Sequence, residues 1–119
     1  MIAEDSGQAR ALIAAEVCRE HKCPYVVVLD VRGHTPFVDY FVICTTMNRV
    51  QSEAVVDGLE EKLGKFHHRE GADGAEWILV DYRDIAVHVM LPDAHRFYDL
   101  ERLWGDSPRV ALPDSADVP

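Results

Sequence analysis

"EWILVDYRDIAVHVM", Glu76 to Met90, carries the clearest strand pattern in the chain. Two runs rich in β-branched, aromatic and aliphatic residues flank a short polar centre, which is the pattern of a β-hairpin. With Arg83 and Asp84 as a two-residue loop, Tyr82 faces Ile85, Val80 faces Val87 and Ile78 faces Val89. The opposite side then pairs Asp81 with Ala86, Leu79 with His88 and Trp77 with Met90. Moving the loop back to Tyr82–Arg83 leaves both faces intact, because side chains alternate with a period of two. One face is wholly apolar and reads as core. The other carries Trp77, Leu79, Asp81, His88 and Met90, too apolar for open water and too polar for an ordinary core. Aromatic and Met side chains among a few polar groups are what protein interfaces use. The alternative is that a helix covers this face and His88 is a hydrogen-bonded core histidine.

Upstream, Ala9, Leu12, Ile13 and Val17 recur at the helical interval, with Asp5 or Ser6 as cap and Pro24 as terminator. Tyr25 to Val31 reads as a strand, "RGHTP" as a turn, and "FVDYFVICT" (37–45) as a second strand antiparallel to the first. Asn48 opens a helix with Gln51 at the reciprocal capping position, and Val50, Ala54, Val55, Leu59 and Leu63 form its apolar stripe. "KFHHREG" (65–71) is a weak strand before the hairpin. Pro92 suits the first turn of a last helix whose apolar face is Phe97, Leu100, Leu103 and Trp104, ended by Gly105. The order predicts an α/β protein: a mixed sheet of about five strands flanked by helices. The helical excursion between the second and third strands permits one parallel pairing. Residues 1–104 form a single domain, and the Pro-, Asp- and Ser-rich 105–119 reads as a flexible tail.

The 119 residues carry a formal net charge of −9. That charge disfavours binding to a phosphate backbone and favours a basic protein partner. No apolar run is long enough to span a membrane, and the acidic N-terminus lacks the build of a secretory signal, so a cytoplasmic protein is expected. Three cysteines, an odd number, argue against a disulfide framework. "CREHKC" (18–23) invites comparison with a metal site, but its spacing is not that of a zinc motif and no second ligand pair has such spacing. No metal or cofactor is expected, and Cys44 reads as a small buried hydrophobe.

Asp81 and His88 share a face, yet a nucleophilic triad needs a placed Ser or Cys and there is no "GxSxG". Asp30, Asp39, Asp81 and Asp84 all sit at strand ends, where a two-metal site could gather, but Asp at strand ends is also ordinary turn chemistry. Phosphate-binding Gly motifs are absent from the sequence. No catalytic residue is expected.

Read together, "DVRGHTPFVDYFVICT", "NRVQSEAVVDGL", "REG", "EWILVDYRDIAVHVM" and "RFYDLERLW" resemble the ribosomal silencing factor (Iojap) family over about Tyr25 to Trp104. The resemblance implies a reduced nucleotidyltransferase fold without its reaction. It also implies docking on the large ribosomal subunit through ribosomal protein fourteen, which blocks the small subunit and lowers protein synthesis under nutrient limitation. Organellar relatives imply a ribosome assembly role as the alternative; a metal-dependent nucleotidyltransferase-like enzyme is the rival from another class. Carried over residue by residue, the partner surface falls on Trp77, Leu79, Asp81, Tyr82, His88 and Met90, with Tyr98 on the last helix. Asp39, Asn48, Gln51 and Arg96 also match family positions and read as turns, caps and internal pairs. Many members have Gly where Arg83 stands, which implies an altered hairpin tip here. An apolar hairpin face without its partner also leaves a homodimer open.

Overall fold

A computed structural model describes residues 6–72 and 75–113. The elements are α1 (Ser6–Glu20), β1 (Tyr25–Asp30), β2 (Tyr40–Thr45), α2 (Arg49–Leu63), β3 (His68–Glu70), β4 (Trp77–Asp81), β5 (Ile85–Met90), α3 (Pro92–Tyr98) and the single turn α4 (Leu100–Leu103). The sheet runs β1-β2-β5-β4-β3. Only β2 and β5 are parallel, and α2 with the β3–β4 strands makes the crossover that pairing requires. The hairpin register is the expected one: Val80 lies opposite Val87, Leu79 opposite His88, and Trp77 opposite Met90.

The alternation in the hairpin divides the molecule into two layers. Ile78, Val80, Val87 and Val89 join α1 and α2 in the main core. Fully buried aliphatic side chains of this kind contribute roughly 1.5–3 kcal/mol each. On the other side Val27, Leu29, Ile43 and Met90 meet Ala94 of α3 and Leu100 of α4, with Trp104 at the edge. The protein's own helices therefore cover part of the second face.

Four local readings need correction. In α1 the buried residues are Gly7, Ala11, Ala14, Ala15, Val17 and Cys18, while Ala9 and Ile13 are exposed. Small side chains at i, i+3, i+4 and i+7 let the helix lie close to the sheet, so bulk was a poor guide to its inward face. Asp5 lies outside the described residues. In α2 the Asn48 cap forms, its side chain accepting from Gln51 N, but the Gln51 carboxamide accepts from Met47 N, one residue before the cap. Val50, expected in the stripe, is 81% exposed, whereas Val55 and Leu59 are buried as expected and are joined by Ser52, Val56 and Gly58. The expected last helix breaks at Asp99, which adopts a left-handed φ of 49°. The break turns Leu100 inward and leaves Phe97 and Leu103 on the surface.

The segment from Gly105 is docked, not free, as far as Pro113. Asp30 N donates to Pro108 O and Val110 N to Val28 O, so the segment lies along the outer edge of β1. Val110 and Leu112 pack against the main core, and Arg19 donates to Pro113 O. The alternation "VAL" after a proline carried this signal, hidden by the loop-like composition. The segment covers a sheet edge that would otherwise offer unpaired backbone groups. Residues 114–119 lie outside the described residues.

Candidate functional site

The tip of the hairpin is built as a two-residue loop, with Tyr82 N donating to Ile85 O. Arg83 has a φ of 76° and Asp84 N donates to Tyr82 O, a tight turn that favours glycine. Arg83 thus keeps the positive φ, held by its N–H on Asp81 Oδ1 at 2.7 Å. The altered tip geometry expected from Arg83 is therefore not what the residue produces. Asp84 is anchored by Arg10 of α1, Nε to Oδ2 at 2.7 Å.

Along the second face, Trp77 Nε1 donates to His88 Nδ1 at 3.1 Å. Nδ1 is then an acceptor, so the proton of the neutral ring sits on Nε2. His88 is 6% exposed, and its Nε2 has no hydrogen-bond partner among the described residues. Burial pulls its pKa down to about 4, against the opposing charge of Glu101. His88 is therefore uncharged at neutral pH. Rings continue on both sides of it. Phe97, Tyr98, Trp77, His88, Phe41 and Trp104 form an unbroken chain with centroid separations from 4.6 to 5.8 Å.

The expected partner residues separate into three sets. Met90 is fully buried beneath α3 and α4, and Tyr82 is 7% exposed in the other layer with its hydroxyl on Gly64 O. Both are corrected from contact residues to core residues. Trp77 and His88 lie between the covered and open parts of the face; the indole is half-buried and His88 is almost covered. Leu79 and Asp81 are half-buried and Tyr98 is 50% exposed, so these present the accessible surface. The mixed face is therefore covered only in part. Its β1–β2–β5 side is covered, and its β4–β3 side is open.

Further members of the open side went unrecognised in the sequence. β3 pairs with β4 so that His68 lies opposite Asp81 and Glu70 opposite Leu79, which puts both on this face. A paired register for "KFHHREG" would have found them. Phe97, at the end of the ring chain, and Leu103 are 80% and 73% exposed. An unbroken helix would face both inward; the break at Asp99 turns them out.

The carboxylates considered for a two-metal site do not converge. Asp30 pairs with Arg32, Asp84 with Arg10, and Asp81 accepts from the backbone of Arg83. Among the described residues, the one group of three or more candidate ligand side chains is Cys18, Cys23 and Cys44.

A family described as "Ribosomal silencing factor during starvation" matches residues 4–119. The chain belongs to the ribosomal silencing factor family. Among relatives of this family, the "Ribosomal silencing factor RsfS" of Bacillus subtilis is 37% identical over 104 residues, 84% of this chain and 88% of the relative. A mouse protein named "Mitochondrial assembly of ribosomal large subunit protein 1" is 29% identical over 93 residues, 72% of this chain and 41% of that one. A crystal structure of a Chromobacterium violaceum protein is similar with a TM-score of 0.77 and 28% identity, covering 94% of this chain and 96% of that one. Among the described residues of this silencing-factor chain, no helix is long and apolar enough to cross a membrane.

Proposed function

We propose that the chain is a translation repressor that binds the large ribosomal subunit through ribosomal protein fourteen and sterically blocks joining of the small subunit. The observation that carries this reading is the open β4–β3 half of the second face. Leu79 and Tyr98 supply apolar contact there, Trp77 gives a rigid aromatic edge, and Asp81 and Glu70 add negative charge. Such a surface suits a basic protein. The net charge of −9 disfavours direct contact with ribosomal RNA. Repression needs no catalysis, because occupancy of the joining surface is enough. It lowers protein synthesis under nutrient limitation, in keeping with the starvation named for the family.

A second reading is a large-subunit assembly factor, favoured by the name of the mouse relative. It uses the same docking surface at an earlier stage. Co-sedimentation with purified large subunits, followed by a joining assay with small subunits, separates the two. The repressor reading expects binding and a dose-dependent loss of joined particles. Binding without any loss of joining would favour assembly, and no binding to large subunits would remove both.

A further inference from the structure

The sequence "CREHKC" spans the end of α1, and the way that helix ends decides what its cysteines do. Cys23 N donates to Cys18 O and Lys22 N to Arg19 O, with Lys22 at a left-handed φ of 65°. This is the Schellman termination, which brings the side chain two residues past the helix back against the one that starts its last turn. Here those side chains are Cys18 and Cys23. Four intervening residues therefore place two thiols together, although the spacing is not that of a zinc motif. Cys44 joins them from β2, on the sheet face beneath α1. All three Sγ atoms lie within 4.8 Å of one another.

We propose that Cys18, Cys23 and Cys44 form a binding site for a thiophilic cation, Zn2+, with water as the fourth ligand on the side of half-buried Cys23. Three sulfurs around tetrahedral zinc at Zn–S of about 2.3 Å stand about 3.8 Å apart. The observed limit needs a contraction of about 1 Å or less. Cys18 and Cys44 are buried, and half-buried Cys23 is the opening through which an ion enters. His21 Nδ1 donates to Val17 O at 2.9 Å, which ties the ring back onto the last turn of α1.

The surroundings hold the loop in place. Gln51 Nε2 donates to His21 O at 2.6 Å, and the His21 ring lies against Gly58 of α2, where a Cβ would meet Cε1 at 2.7 Å. Uptake is a ligand exchange: each thiol loses its proton as its sulfur bonds the metal, so three protons are released and binding weakens as pH falls. No electron moves. The ion would fasten the end of α1 to β2, in the layer opposite the docking face, so the site stands or falls independently of ribosome binding.

The test uses the reduced full chain. Titration with Co2+ should give one metal per chain and a thiolate-to-cobalt charge-transfer band, displaced by Zn2+. Zn2+ should slow alkylation of all three thiols at least tenfold. Cys23→Ser, at the half-buried position where folding is least affected, should weaken Zn2+ binding at least a hundredfold while circular dichroism is unchanged. Alkylation unaffected by Zn2+ in the unmutated protein, or unchanged affinity in Cys23→Ser, overturns the proposal. The alkylation experiment needs no variant, so misfolding of a mutant cannot obscure it.

Discussion

Replacing His88 with Gln tests the electrostatics of the covered half of the face. His88 is buried and neutral, with a pKa of about 4 against an ordinary 6.5. The unfolded chain therefore binds this proton more readily than the folded one between those two values. Its contribution to stability is complete above pH 6.5 and is lost as pH falls toward 4. The full loss is about 3 kcal/mol, and about 2 kcal/mol of it falls between pH 6.5 and 5. Gln keeps an acceptor for Trp77 Nε1 and removes the titration. Asp30 and Glu101, both held below the usual carboxylate range, titrate mostly below this window and are present in both proteins. Urea unfolding followed by far-ultraviolet circular dichroism at pH 7, 6 and 5 gives the stability difference between the two chains. The unmutated protein should lose about 2 kcal/mol more than His88→Gln between pH 7 and 5. Parallel pH profiles would refute the claim that His88 folds uncharged.

Three other substitutions probe the parts that position the face. Arg83→Gly should stabilise the fold by about 1 kcal/mol in urea unfolding, because the positive φ at the hairpin tip costs an L-residue roughly that much. Gly71→Ala should destabilise by more than about 2 kcal/mol, since Gly71 has a φ of 95° and an added Cβ would sit 2.6 Å from Trp77 O; a smaller loss would mean that the β3–β4 connection gives way easily. Asn48→Ala should cost about 1 kcal/mol through loss of the α2 cap, read as a lower thermal midpoint.

The hairpin was legible in the sequence because two constraints agreed there. The alternation fixed the faces, and the polar centre fixed the turn, so the register Leu79–His88 followed. Arg83 broke the usual residue preference of such a turn, yet tertiary pairing on both sides keeps it in place. The helices were less legible. α1 buries alanines in a narrow gap that a search for bulky side chains overlooks. Asp99 ends α3 by a left-handed residue with no Gly or Pro to announce it, and that one dihedral decides that Leu100 is covered and Phe97 bare. The division of the mixed face into covered and open halves depends on this break. Composition could not show it, because Trp77, Leu79 and Met90 look alike in a pattern of apolar positions and differ only in what lies over them. The cysteine cluster depended on a helix terminator and a strand face together, neither of which a spacing rule contains.

The central claim is that the open β4–β3 half of the second face is what meets the large subunit. Leu79→Arg tests it most directly. Leu79 is only half-buried, so the fold tolerates the change, and the new charge repels a basic partner across a surface that must be desolvated. Ile13→Arg, at a 42% exposed position of α1 on the opposite layer, is the control. Binding to purified large subunits, measured by co-sedimentation, should weaken about tenfold or more for Leu79→Arg, a loss of about 1.4 kcal/mol, and stay unchanged for Ile13→Arg. Unchanged binding by Leu79→Arg, or an equal loss in both variants, would contradict the account.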